Sequence, residues 1–392
     1  MAKKKKQKID RPLDVRGTSR LHGTVIDHFS TISDPRVART KRHKLLDIIF
    51  IAIAASICGA DNWKAIEVFA QAKKSWLETV LKLPNGIPSH VTFWRVFRRI
   101  NAAEFQKCFV NWIQAAFEHV DGDIIAIDGK TMRGSGDSTS GSSPLHIVSA
   151  WAAEHNITLA QIKVGEKTNE ITAIPALLNM IAIQGAIVTI DAMGCQKTIA
   201  EQIINGGGDY VLALKGNQSS THDEVENFLL QALDIDFEGV EHDCCTYLDK
   251  GHGRIERRTV YVTGDLDWLP NKDPWAKLTS IIMVVRERTI KGKMSKEIQY
   301  YLSSLDPIAT QIAHAIRTHW GIENKVHWIL DVTFGEDNNQ LSGNGAENFS
   351  LLSKIALNLL KQDKTTKLSI PNKRFRASMD QTYLETILKA VA

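Results

Sequence analysis

Ile124-Ile125-Ala126-Ile127-Asp128-Gly129-Lys130 and Ala186-Ile187-Val188-Thr189-Ile190-Asp191 are two short apolar runs that each end on an aspartate. A short apolar run stopped by a turn residue reads as a buried strand. An acid at that point leaves the sheet at its carboxyl edge, where open α/β sheets place ligands. Between the two lie strand-like runs over 146–151 and 158–164, joined by His155-Asn156, so the first three strands predict an antiparallel meander. Helical spacing follows over 170–183. After Asp191 come a helix over 195–205, the stop Gly206-Gly207-Gly208 and a strand over 210–214. A meander followed by strand–helix alternation predicts a mixed α/β sheet, not a doubly wound parallel one.

Upstream, residues 43–119 read as helices. Apolar residues recur at helical spacing through 45–57 and through Ala65, Val68, Phe69, Trp76, Leu77, Val80 and Leu81, until Pro84-Asn85-Gly86 breaks the pattern. The next helix carries Val91, Trp94 and Phe97 with Arg95, Arg98 and Arg99 interleaved, a basic aromatic pattern suited either to DNA or to plain solvation. Downstream, 215–300 reads mostly as strands, and helical patterns return over 307–330 and 346–360. The chain closes on basic residues: Lys361, Lys364, Lys367, Lys373, Arg374 and Arg376.

The 392 residues are 43% hydrophobic and 23% charged, a globular composition with length for two or three domains. The longest apolar stretch, 45–57, falls short of the ~18 residues of a spanning helix and contains Asp47. Residues 1–6 carry lysines and no apolar secretory segment. Cysteines 58, 108, 195, 244 and 245 follow no pairing pattern, which fits reduced thiols in a cytoplasm. These features argue against a membrane protein, a disulfide scaffold and a fibre. Net charge is only +4, but residues 1–44 hold 13 Lys/Arg against four acids, leaving the rest mildly acidic. Such a basic arm suits a polyanion such as nucleic acid, or serves solubility.

Two carboxylates at neighbouring strand ends repel unless a hard cation sits between them, which makes Asp128 and Asp191 candidate ligands for Mg²⁺ and phosphoryl transfer. Turns also favour Asp for its own hydrogen bonding, so either residue alone is ambiguous. A third acid completes a two-metal clamp. In 316–328, steps of four place His319, Glu323 and His327 on one helix face, with Asp331, Glu336 and Asp337 following. Asp331, eight residues on, is the rival of Glu323. A tight H-E-x-x-H pair is absent, and His242, Cys244, Cys245 and His252 lack metal spacing, so zinc is not expected.

The segments Ile125-Ala126-Ile127-Asp128-Gly129-Lys130-Thr131, Lys167-Thr168-Asn169-Glu170-Ile171, Asp191-Ala192-Met193-Gly194-Cys195-Gln196, Gly208-Asp209-Tyr210 with Lys215-Gly216-Asn217-Gln218, His252-Gly253-Arg254 and His319-Trp320-Gly321-Ile322-Glu323-Asn324 occur in that order. In these, over 34–380, the chain resembles the H-repeat-associated transposases, DDE transposases of bacterial insertion sequences. The resemblance implies an RNase H-like catalytic core split by a β-rich insertion, with Asp128, Asp191 and Glu323 as its metal-binding triad. The expected segments are a basic arm (1–42), a helical DNA-binding or associated domain (43–120), the first half of the core (121–214), the insertion (215–302), the second half (303–362) and a basic tail (363–392). The Tyr, Arg and Lys that surround the catalytic Glu in many split-core relatives are replaced here by Ile316, His319 and Leu330. Their DNA contacts therefore do not transfer.

The implied activity is Mg²⁺-dependent cleavage of insertion-sequence ends and strand transfer into target DNA, with Mn²⁺ able to substitute. Lys130, Arg133, Lys215 and Arg254 are candidate phosphate contacts, joined by Arg317 and Lys325 near Glu323. The partner would be double-stranded DNA, bound by a homodimer in a bacterial cytoplasm and at the nucleoid when on DNA. The competing readings are a metal-dependent nuclease that cuts without joining and a non-catalytic DNA-binding descendant of a transposase.

Overall fold

The computed structural model describes residues 25–117, 122–136, 143–165, 168–251, 253–270, 272–338, 341 and 344–389. Most of the basic arm lies outside these residues. Six helices come first: α1 (Val25–His28), α2 (Leu45–Ile57), α3 (Trp63–Ala72), α4 (Lys74–Val80), α5 (His90–Arg99) and α6 (Ala102–Ala116). Nearly every residue of α2 is buried, as its all-round apolar sequence requires. In α5, Phe93, Val96 and Phe97 face inward while Trp94, Arg95, Arg98 and Arg99 face out.

The meander follows as β1 (Ile124–Met132), β2 (Leu145–Ala152) and β3 (Ile157–Lys163), paired antiparallel. Helix α7 (Glu170–Leu178) leads to β4 (Ile187–Ile190), and α8 (Lys197–Asn205) to β5 (Asp209–Leu214). Both of these strands run parallel to β1. The segment expected as β-rich opens instead with a long helix, α9 (Ser219–Asp234). Its buried Thr221, Val225, Leu229 and Ala232 fall at spacings of four, four and three, a helical signal that the later strands overshadowed. Then come β6 (Asp243–Gly251), β7 (Arg254–Thr263), β8 (Ser280–Ile290) and β9 (Lys293–Ser303). They do not form a separate sheet. Residues 300–303 of β9 pair antiparallel with β5, giving one nine-stranded sheet in the order β3-β2-β1-β4-β5-β9-β8-β7-β6.

Helix α10 (Ala309–His319) covers one face of this sheet, packing Ile312 and Ile316 with Ile124, Ile187, Val211 and Val262. The opposite face carries α7 and α8. After a π-turn over Glu323–His327 come α11 (Trp328–Val332) and α12 (Asn344–Gln362), which is buried along most of its length between α2, α5, α6 and β3. The margin of the sheet at β3 is closed by side chains. Asn358 accepts from Thr158 N (2.9 Å) and donates to Thr158 O (2.9 Å). The Gln106 amide, turned to the orientation its surroundings satisfy, meets Gln161 in the same way, its nitrogen donating to the Gln161 carbonyl (3.3 Å) and its oxygen accepting from Gln161 N (3.1 Å).

Residues 363–392, expected as a basic tail, fold into α13 (Ile370–Met379) and α14 (Gln381–Lys389) against α2 and α12. Lys373 is buried and donates to the carbonyls of Leu360 (2.9 Å) and Asp363 (2.6 Å). Arg374 reaches Asp61 and the Ser56 carbonyl (3.0 Å), its guanidinium 3.9 Å from the Phe334 ring centre. These two cations hold the molecule together and do not face outward.

Candidate active site

Ile127 on β1 is in register with Ile190 on β4. Asp191 follows the last residue of β4, whereas β1 continues through Asp128 to Met132 beside β2, so the strand end expected at Asp128 is a mid-strand position. The two aspartates still fall side by side at the carboxyl edge of β4, just past the last β1–β4 pair. Asp191 then turns into a short 3-10 segment, Ala192–Gly194, with its Oδ1 accepting from Met193 N (3.1 Å). Both acids line a cleft of about 270 Å³ together with Lys215, His319, Trp320 and Glu323. The three acids expected from the sequence therefore share one cavity. β9 forms another wall through Gln299 and Tyr300.

Two histidines support this floor. His327 Nδ1 lies 3.3 Å from Asp128 Oδ2, while Asp128 Oδ1 accepts from Gly129 N (2.9 Å). His319 Nδ1 shares a hydrogen bond with Thr189 Oγ1 (3.0 Å). Burial pushes Asp128 up, but the His327 hydrogen bond and the nearby imidazoles outweigh it and hold the carboxyl below its usual range. Asp191 has no such relief: burial and the charges of Glu170 and Asp128 push it up. Burial pushes His319 down, toward the neutral ring.

Glu170, quoted in the sequence motifs but given no role there, comes to this edge from α7. Its Oε1 lies 2.6 Å from His146 Nε2. A Cβ on Gly129 would sit 2.0 Å from Glu170 Oε1, so glycine at 129 admits that carboxylate to β1. On α9, His222, Asp223 and Glu226 gather ligand atoms within 4.8 Å of one another, and His222 lines the same cleft. Among the described residues no other set of three is so compact, so Asp128, Asp191 and Glu323 are spread more widely. Cys244 and Cys245 alternate across β6 and face opposite sides, and His252 lies outside the described residues.

The expected phosphate contacts separate into groups. Lys215 is exposed at the cleft. Lys130 is not available to a ligand: its side chain is 11% exposed and its ammonium pairs with Asp331 and, at 2.5 Å, with Glu336. These partners are distant in sequence, so periodicity offered no sign of them. Asp331 is thereby engaged by a lysine, unlike Glu323. Arg317 pairs with Asp249 (3.1 Å), and exposed Lys325 lies 5.4 Å from the Trp151 ring centre. Arg133 is exposed near the end of β1. Arg254 begins β7 opposite Gly251 and Ile290; Ile290 lies six residues from Val284, the partner of Gln299 at the cleft, or ~20 Å along the strands.

Residues 26–113 match a family model described as DDE_Tnp_1-associated, and residues 120–359 match the Transposase DDE domain. The chain is 42% identical over 371 residues to the "H repeat-associated putative transposase YhhI" of Escherichia coli (strain K12), covering 93% of this chain and 97% of that one. It is 40% identical over 370 residues to the "Putative transposase YncI" of Escherichia coli O157:H7, covering 93% and 94%. A solved piggyBac transposase synaptic complex with hairpin DNA aligns at a TM-score of 0.44 and 10% identity over 94% of this chain and 78% of that one, too distant to carry an argument. The domain match spans well over half the sequence, and the relatives align along nearly their whole length: the chain belongs to the DDE transposase family.

Proposed function

We propose that this protein cleaves the ends of an insertion sequence and joins them to target DNA, using divalent metal held by Asp128, Asp191 and Glu323 in an RNase H-like core. One observation carries the reading: the register of β1 with β4 sets two aspartates side by side in a cleft that Glu323 also lines. The order β3-β2-β1-β4-β5, a meander continued by two parallel strands with helices on both faces, supports the core assignment. Family membership supports DNA as the substrate.

The donor set fits the ion. Three carboxylates offer the oxygen ligands a hard cation takes, and their spread leaves room for the waters Mg²⁺ retains. The repulsion that pushes Asp191 up is what a cation there would relieve. Bound Mg²⁺ or Mn²⁺ supplies charge stabilisation at phosphoryl oxygens and activation of water or a DNA 3′-hydroxyl. The chain's own residues do the positioning. His327 and Gly129 N–H fix the Asp128 carboxylate, Met193 N–H fixes Asp191, and each carboxylate keeps lone pairs for a ligand. Lys215, exposed at the cleft, stands where it meets a phosphate backbone.

The test is a labelled duplex carrying the element's terminal repeat, with a second duplex as target. Asp128→Asn, Asp191→Asn and Glu323→Gln should each abolish cleavage while folding and DNA binding persist. Cleavage retained in an aspartate variant overturns the site, and an active Glu323→Gln beside an inactive Asp331→Asn moves the third ligand to Asp331. Cut ends that never join the second duplex identify a nuclease.

A further inference from the structure

Lys130 lies two residues beyond Asp128 on β1, so the two side chains leave the strand on the same face. Its ammonium meets Asp331, near the end of the helical run whose π-turn begins with Glu323, and Glu336 just after it. Glu336 is 1% exposed and accepts from Ser350 Oγ (2.6 Å); Ser350 Oγ in turn accepts from the buried Lys354 Nζ (3.0 Å). The contact continues past Lys130. Arg133 N donates to Asp337 Oδ1 (3.2 Å), and a Cβ on Gly134 would lie 2.2 Å from the Asp337 carbonyl oxygen. The end of β1 and residues 331–338 are therefore closed against each other over several points, one of which only glycine allows.

The π-turn gives this closure its direction. In a regular α-helix, eight residues would turn Asp331 about 80° away from Glu323. A π-turn takes up about one extra residue, which brings the two to within about 20° of one face. The helix face that presents Glu323 to the cleft is thus the face tied to β1 through Asp331.

We propose that Lys130 is a positioning residue: clamped between Asp331 and Glu336, it sets the Glu323 helix against β1 and so fixes the third carboxylate relative to Asp128. This rests on the reading of the cleft given above. It also replaces the expectation that Lys130 touches phosphate, because its side chain is 11% exposed and its ammonium is enclosed by the carboxylates of Asp331, Glu336 and Asp337.

Lys130→Met in the full chain keeps the aliphatic stem and removes the charge. DNA affinity and KM should stay within twofold of wild type while kcat falls about 10²-fold, the effect of an ångström-scale misplacement. Mn²⁺ affinity, read by calorimetry without DNA, should fall about tenfold. Lys130→Arg should restore most of both. The double variant Lys130→Met/Asp331→Asn should be no slower than the worse single variant, since the two act as one contact. If Lys130→Met fails to fold, Asp331→Asn carries the same measurements, as Asp331 is a third exposed. Unchanged turnover, multiplicative losses in the double variant, or weakened DNA binding with unchanged Mn²⁺ affinity would each overturn the clamp. Asp191→Asn separates the two levels: if it binds Mn²⁺ as tightly as wild type, the cleft reading fails and not the clamp.

Discussion

Two groups of acids lie close together along β1, and the fold treats them oppositely. Asp331, Glu336 and Asp337 surround Lys130, with Lys354 behind Glu336. Asp128 and Asp191 meet with histidines and backbone N–H groups for company, and among the described residues no lysine or arginine forms an ion pair with either or with Glu323. In the first group the chain supplies its own counter-charges, and the result is scaffold. In the second it withholds them, and the repulsion is stored at the mouth of a cleft. The contrast is what the proposed metal site predicts: carboxylates that hold the fold are paired with lysines, and those proposed to hold a cation are not.

The largest effect should come from breaking the neutralised group. Glu336→Gln keeps the shape but leaves Lys130 and Lys354 short of charge, and breaking a buried pair costs about 3–5 kcal/mol. Chemical denaturation should show a loss of about that size; a loss below about 1 kcal/mol would mean the two groups do not differ as described.

Next comes the open group, where removing a charge should help the metal-free fold. Asp191 is pushed up, so the folded state holds its proton more tightly than the unfolded chain, and stability falls as pH rises through that range. At pH 7, Asp191→Asn should therefore raise the thermal midpoint in chelator. Wild type should gain stability on adding Mg²⁺, by mass action, and the variant should gain little. An equal Mg²⁺ response in both proteins would break the contrast.

The last effect concerns a lysine that has no carboxylate partner among the described residues. Lys361 on α12 is buried, donates to Asn156 Oδ1 (3.0 Å) and is pushed down from 10.5 to about 7. Between those values the unfolded chain holds a proton that the folded chain does not, so stability rises with pH across the window. Lys361→Met should flatten that rise; an unaltered slope from pH 7 to 10 would assign it to other groups.

The strand end at Asp191 was legible because an apolar run stopped by an acid is a local pattern; the same pattern at Asp128 misled, since pairing with β2 carries β1 on to Met132. The histidines at 319 and 327 were legible as one face with Glu323, since helical spacing is local too. What periodicity could not supply was every contact made across the chain. Lys130 meets Glu336 across 206 positions, and Arg374 meets Asp61 across 313, so both looked like free basic residues. Glu170 could be quoted within a motif, but its approach to β1 depends on glycine at 129, which only the folded geometry reveals. The helix α9 is different: its spacing was readable, and the strands after it masked the change of period.

Gln106 and Asn358 make the long sheet one-sided. Their amides occupy backbone groups that an incoming strand would need at β3, whereas among the described residues no strand pairs with the outer side of β6. That far margin carries Asp249 and Lys250, charges that discourage casual pairing without blocking it. Any association that recruits another β-segment, whether a second copy during assembly or a neighbour during aggregation, is therefore directional: it starts at the end remote from the meander.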